Sequence, residues 1–167
     1  MHPGNRRKQI KKVTMKKSIL YRLFRIGAVP RRMRPALEQE DIVLLDEGIP
    51  GMLITRHVDG PGKRWRHRAE GFSGWLVITG QRLMCQSFGR RQINMAVEDP
   101  RIKELCVDIP QEKRLSISFE SSVFREGWKG VMEYRFNTEK AQLFYDRLVL
   151  LGAQPGTAPG SDRSGTP

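Results

Sequence analysis

Between Arg114 and Glu120 apolar and polar positions alternate without a break: Leu115, Ile117 and Phe119 against Ser116, Ser118 and Glu120. A period of two predicts a strand with one face buried and the other in water. Met132, Tyr134 and Phe136 alternate with Glu133 and Arg135 in the same way. Trp75 to Thr79, the pair Gly80-Gln81, and Arg82 to Phe88 read as strand, two-residue turn and return strand, a hairpin. Gly89-Arg90-Arg91 turns the chain into a strand from Gln92 to Val97. Ile102, Leu105, Val107 and Ile109 mark another, closed by Pro110 to Lys113. Upstream, Gly51 to His57 predicts the first strand, Val58 to Gly62 a loop, and Lys63 to Arg68 a basic run after it.

After Thr138 the period becomes helical. Ala141, Phe144, Leu148 and Leu151 line one face, Glu139 sits in the first turn and Gly152 stops the helix. Pro35 followed by Ala36 to Leu44 predicts a second helix, with acids early where they favour the dipole. Ile19, Leu20, Leu23, Phe24 and Ile26 approximate helical spacing opposite Arg22 and Arg25. That short amphipathic helix is not stable alone and needs a surface, the body's own or a membrane's. Gly27 and Pro30 end it. Residues 1–34 thus read as a leader, 35–152 as one domain, and 153–167, rich in Gly, Pro, Ser and Thr, as an exposed tail.

About seven short antiparallel strands followed by one amphipathic helix predict a mainly β fold. A sheet of that size curls into a partly open barrel with one mouth to cover, and the terminal helix bearing Phe144 and Leu148 is the natural cap. Gly74-Trp75-Leu76-Val77-Ile78-Thr79-Gly80-Gln81-Arg82-Leu83-Met84 is the part most like a known family. It resembles the Gly-x-Leu-x-[Leu/Ile]-Thr-x-x-Arg-Leu hairpin of the pleckstrin-homology-like superfamily, its GRAM and bacterial members in particular. The resemblance covers roughly residues 45–151. It implies a binding module without catalysis, and in lipid-binding members a phosphoinositide site of Lys and Arg on the first two strands and their loop. The matching region is Lys63-Arg64-Trp65-Arg66-His67-Arg68. It departs from the family pattern, because Arg56 is the only cation on the preceding strand and Arg66-x-Arg68 follows Lys63 at once.

Charge divides the chain. The net +12 resides in the first 34 residues: twelve Lys and Arg, among them Lys11, Lys12, Lys16, Lys17, Arg22 and Arg25, and no acid. The remainder balances eighteen cations with eighteen anions. Such an arm suits an anionic partner. Near an anionic bilayer each Lys or Arg contributes on the order of 1 kcal/mol, and the apolar helix face adds buried area. Nucleic acid would be bound by the same charges without sequence preference. The arm offers Tyr21 and Phe24 as its only aromatics, a poor platform for stacking single strands. A disordered solubilising leader, or a helix docked on the body with no partner at all, is the plain alternative.

In the body, the guanidinium groups of Arg64, Arg66 and Arg68 grip phosphate in pairs of hydrogen bonds, Lys63 adds charge, and an interfacial Trp65 anchors such a loop at headgroup depth. The competing picture is a solvated charged face with Trp65 turned to the core. Trp128, between Arg125 and Lys129, is either a contact for a partner or a residue packed back on the barrel end.

Nothing points to catalysis: the chain has no GxSxG, P-loop or GxGxxG, and Asp46-Glu47 and Glu98-Asp99 are neighbours that point apart on a strand. His57, His67, Cys85 and Cys106 match no zinc spacing, and the two cysteines read as buried reduced thiols. No cofactor is expected. Nor does any apolar run reach the roughly 18 residues of a membrane span, and Arg22 and Arg25 interrupt the one signal-peptide-like stretch. The expectation is a cytoplasmic, non-enzymatic module, peripheral at the inner face of a membrane. Alternatively it is an adaptor that takes a protein segment on an open strand edge or barrel end.

Overall fold

A computed structural model describes residues 17–159. Its elements run α1 (Ile19–Phe24), α2 (Arg34–Gln39), β1 (Ile42–Gly60), β2 (Lys63–Thr79), β3 (Arg82–Ser87), β4 (Arg90–Ala96), β5 (Cys106–Gln111), β6 (Arg114–Glu120), β7 (Lys129–Asn137), α3 (Ala141–Leu150) and β8 (Gln154–Pro155). Short 3-10 turns at Pro100–Glu104 and Ser121–Val123 complete the path. One sheet contains every strand, in the order β4-β3-β2-β1-β7-β6-β5-β8. All pairings are antiparallel except that of β8, which runs parallel to β5.

The sheet curls into a half-barrel. Curling is visible in one bond: Tyr134 on β7 donates its hydroxyl to Gln92 Oε1 on β4, 3.0 Å away, although three strands lie between them in the sheet. Phe72, Tyr134 and Phe136 pack edge-on and stacked inside the curve, with Leu76, Ile78, Leu83, Cys85, Leu115, Ile117 and Phe119 around them. Ala141, Phe144 and Leu148 of α3, at helical spacing, enter this core and are fully buried. The terminal helix therefore covers the apolar mouth, as its periodicity predicts.

Several boundaries differ from the sequence reading, each for a physical reason. The first strand extends over 42–60, well past 51–57, because a left-handed Gly48 absorbs a bulge and lets the ladder continue. Pro50 is tolerated because β7 joins β1 only from Gly51 onward, so its missing N–H costs little. What reads as a loop, Val58 to Gly62, is strand up to Gly60, and the turn is Pro61-Gly62 alone. The helix expected to reach Leu44 ends at Gln39; Asp41 is left-handed, and Ile42-Val43-Leu44 enter the sheet. The residues from Pro100 to Glu104 form a 3-10 turn before β5, where strand was expected from Ile102.

The strands number eight, because the chain beyond α3 returns to the sheet. Gln154 and Gly156 donate their amides to Leu105 and Val107 carbonyls at 2.8 and 2.7 Å, and Ala158 donates to Ser118 Oγ at 2.9 Å. Residues 153–159 are thus laid on the body, with Ala153 and Ala158 buried; residues 160–167 lie outside those described. This also alters the expected wet face of β6: Ser116 and Ser118 are buried, one under Glu133 and one under the returning chain.

Candidate functional site

The leader from Lys17 to Val29 is stitched to the outside of the sheet by polar contacts. Ser18 N–H donates to the Gly48 carbonyl at 3.0 Å, and Gly48 N–H donates to Gly27 O at 2.8 Å. Ser73 Oγ lies 2.7 Å from Ser18 Oγ and donates to Ile26 O at 2.8 Å. Ser18 Oγ accepts the Tyr21 N–H at 3.1 Å, capping α1. Glu47 is the main clasp: it accepts from the Tyr21 hydroxyl at 3.0 Å, the Val29 amide at 3.1 Å and Arg34 at 2.8 Å. Lys17 pairs with Asp46 at 3.2 Å. Behind this segment Val29 and Leu37 close a second small core over Trp75, Val77 and Met84.

Docking uses Tyr21, whose ring lies flat against Gly48; a Cβ there would come within 2.2 Å of the ring. Gly48→Ala, at φ +67°, should therefore push Tyr21 off its seat at a cost of about 1–2 kcal/mol. The check is hydrogen exchange: amides of 18–29 should speed up while those of β6 and β7 keep their protection.

With Tyr21 turned inward, three apolar side chains of α1 and Ile26 beyond it face out. Ile19, Leu23 and Phe24 are 71, 68 and 68% exposed and Ile26 47%. The body thus leaves these four side chains uncovered. Arg22, exposed, stands among them, and Arg25 Nη1 donates to Tyr21 Oη at 3.2 Å. Arg25, left-handed at φ 56°, ends the helix. Lys11, Lys12 and Lys16 lie outside the described residues, and so does the Leu20 side chain.

The second candidate is the far end of the β1–β2 hairpin. Trp65 is opposite Val58 in the register, and its ring meets Trp128 from the β6–β7 loop at 6.4 Å, tilted 40°. Trp128 itself covers Gly60, where a Cβ would come within 2.4 Å of its ring. Both tryptophans are half-buried. Cations flank them: Lys63 and Arg68 stand 5.8 and 5.4 Å from the Trp65 centroid, and Arg125 stands 4.8 Å from that of Trp128. A shallow cleft of about 360 Å³ runs beside His57, Val58, Asp59, Arg64, Trp65 and Arg66.

Of the five residues expected to bind anions here, the strand divides the set. Lys63 and Trp65 share one face by alternation; Arg64, Arg66 and Arg68 share the other. Arg64 is bidentate to Asp59 at 2.7 and 3.2 Å, and Arg68 reaches Glu70 at 2.6 Å. Such exposed pairs are weak and exchangeable. No acidic partner faces Arg66 among the described residues. Trp128 and Arg125 join the tip only through the pairing of β1 with β7, which the spacing of residues does not reveal.

Elsewhere most polar groups are paired, the buried Trp75 Nε1, Ser87 Oγ and Arg147 Nε being exceptions among the described residues. A cleft of about 390 Å³ lined by Arg82, Asn94, Asp99 and Arg101 has its cations taken, Arg82 by Glu40 at 2.7 Å and Arg101 by Asp99 at 2.6 Å. Burial pushes the Cys85 thiol up to about 12 and raises that of Cys106, so both stay protonated near neutrality. His57 and His67 are not register partners, since His67 faces Arg56. Among the described residues no three His, Cys, Asp or Glu gather to hold a metal, and no helix is long and apolar enough to cross a membrane. Comparison with protein-family models and with curated proteins returns no match.

Proposed function

We propose that the chain is a non-enzymatic module of pleckstrin-homology-like type that attaches peripherally to an anionic membrane surface at its inner face. The observation that carries this reading is the inverted docking of α1. A surface helix of a soluble domain turns its apolar stripe to the core. Here polar atoms and one tyrosine hold the helix, and Ile19, Leu23, Phe24 and Ile26 face outward beside Arg22 and Arg25. Apolar residues set among cations suit the headgroup–acyl boundary.

The hairpin tip supports the same reading. Ser73, which anchors the leader, and Trp65 lie on the same face of β2, eight residues or roughly 26 Å apart at strand rise. Tryptophans flanked by Lys63, Arg68 and Arg125 are suited to headgroup depth. The half-barrel with its terminal helix is the architecture that the hairpin resemblance implies.

Flotation with phosphatidylglycerol-containing vesicles tests the proposal. The full chain should float with them, and not with pure phosphatidylcholine at moderate salt. Replacing both Leu23→Glu and Phe24→Glu removes two side chains worth about 1.5–3 kcal/mol each on full burial, so partition should fall by at least about a hundredfold. Equal flotation of variant and parent would discard α1 as the inserting element, and no flotation of the parent at low salt would discard the membrane.

A further inference from the structure

The curl of the sheet leaves one strand half unpaired. β2 is flanked by β1 along its whole length, but β3 joins it only from Trp75 opposite Gln86 to Ile78 opposite Leu83. From Lys63 to Gly71, among the described residues, no strand lies on its other side. This is nine residues of open ladder, roughly 30 Å. The Arg68 guanidinium shows the opening: from its own face of the strand, where it meets Glu70, it also stands 5.4 Å from the Trp65 ring on the other face.

We propose that this edge takes up an extended acidic segment of a partner protein as an added antiparallel or parallel strand. Charge selects the occupant. The stretch carries Lys63, Arg64, Arg66 and Arg68 against Glu70 alone, and most of its side chains are exposed. A second copy on the same edge would set cation against cation, a destabilising arrangement for cross-strand neighbours. The chain's own ends do not fit either. Residues 1–16 bring Arg6, Arg7, Lys8, Lys11, Lys12 and Lys16 and no acid, and residues 160–167 offer one Asp beside one Arg. An edge armed against itself in this way remains open to a strand of opposite charge.

The chemistry sets the segment's pattern. Arg64, Arg66 and Arg68 repeat every second residue on one face, so carboxylates at alternate positions of the incoming strand meet all three. Among the described residues Arg66 has no acidic partner to give up, while Arg64 and Arg68 trade exposed carboxylates for those of the ligand. Ala69 and Gly71 present little bulk, leaving the backbone there accessible to main-chain hydrogen bonds. The site shares Lys63 and Arg68 with the hairpin tip of the membrane reading, but it does not use α1, the element that carries that reading. The two proposals are therefore separable.

A fluorescein-labelled nine-residue peptide with Glu at alternate positions and Thr between them, titrated with the full chain, provides the test. Anisotropy should report micromolar binding, and the amides of 63–71 should gain hydrogen-exchange protection. Two further peptides of the same charge, each N-methylated at one of the two alternating sets of amides, separate strand addition from charge attraction: one should bind at least tenfold more weakly. Arg66→Glu, at an exposed position, should weaken binding by at least tenfold, whereas the Leu23→Glu, Phe24→Glu double variant, which loses flotation, should bind the peptide as the parent does. Equal binding of the parent and both methylated peptides, or unchanged exchange at 63–71, would overturn the proposal. So would a random oligonucleotide of equal length that bound as tightly as the peptide.

Discussion

Phe144→Ala should destabilise the protein by about 3–5 kcal/mol, the cost of removing a ring from a well-packed core and leaving a cavity. Phe144 has no solvent exposure and belongs to the same core as Leu115, Ile117, Phe119 and Tyr134. The site has little means of collapse, because α3 is held over the mouth by Ala141 and Leu148 on one stripe and is succeeded at once by the β8 pairing with β5. Domains of this size are stable by about 5–15 kcal/mol, so the loss is a large share. A thermal melt should shift down by roughly 10 °C or more. Leu143→Ala, one residue away on the exposed face of the same helix, is the control and should change stability by no more than about 0.5 kcal/mol. Equal effects at the two positions would mean that the helix does not cover the barrel by the face assigned to it.

That face was legible because it is local. The helix marked by Ala141, Phe144 and Leu148, the strands marked by alternation at 115–119 and 132–136, and the Gly80-Gln81 turn each depend on a few neighbouring residues, and each element appears in the structure. Ser116, Ser118 and Glu133 are nevertheless buried where a wet face was expected. What depends on partners distant in sequence was not legible. The first strand was expected only from Gly51, because local pattern cannot show that Gly48 absorbs a bulge and that β7 joins β1 only after Pro50. β8, at Gln154–Pro155, is too short to show any period and exists because the Leu105 and Val107 carbonyls await it.

The candidate surface divides along the same line. The cations of Lys63 to Arg68 and the apolar residues of α1 stand out in the sequence. Their orientation does not: Tyr21, one residue inside the apolar run, decides which side of α1 is seated by fitting over Gly48 and reaching Glu47. Likewise Trp128 reaches Trp65 across some sixty intervening residues because β1 pairs with both β2 and β7. A helix seated by its polar side leaves its apolar side to a different solvent, and that asymmetry is what gives the membrane proposal its physical content.

The second large effect concerns Glu133. It lies on the sheet face away from the core, yet its side chain is only 2% exposed, clasped by Arg56 at 2.9 Å, Arg135 at 2.6 Å and the buried Ser116 hydroxyl at 2.8 Å. Burial alone would raise its carboxyl, but hydrogen bonds from Arg135, Arg56 and Ser116 outweigh it and hold the group below the usual range. Glu133→Ala leaves two guanidinium groups facing each other, Arg56 being 14% and Arg135 30% exposed, with Ser116 unpartnered. The expected loss is about 3–5 kcal/mol, as for other broken buried pairs. A folded-state pKa below the unfolded value of about 4.3 adds stability that is fully present above that pH and fades as pH falls through the folded value. Melting temperatures of the parent should therefore drop toward acid more steeply than those of Glu133→Gln. That variant preserves the shape and an acceptor while removing the charge, and the gap between the two should be widest near pH 7, narrow below about pH 4.3 and close only as pH falls below the lowered folded-state value. A gap that stayed constant across that range would show that the Glu133 charge contributes nothing to joining β1, β6 and β7 beneath the hairpin.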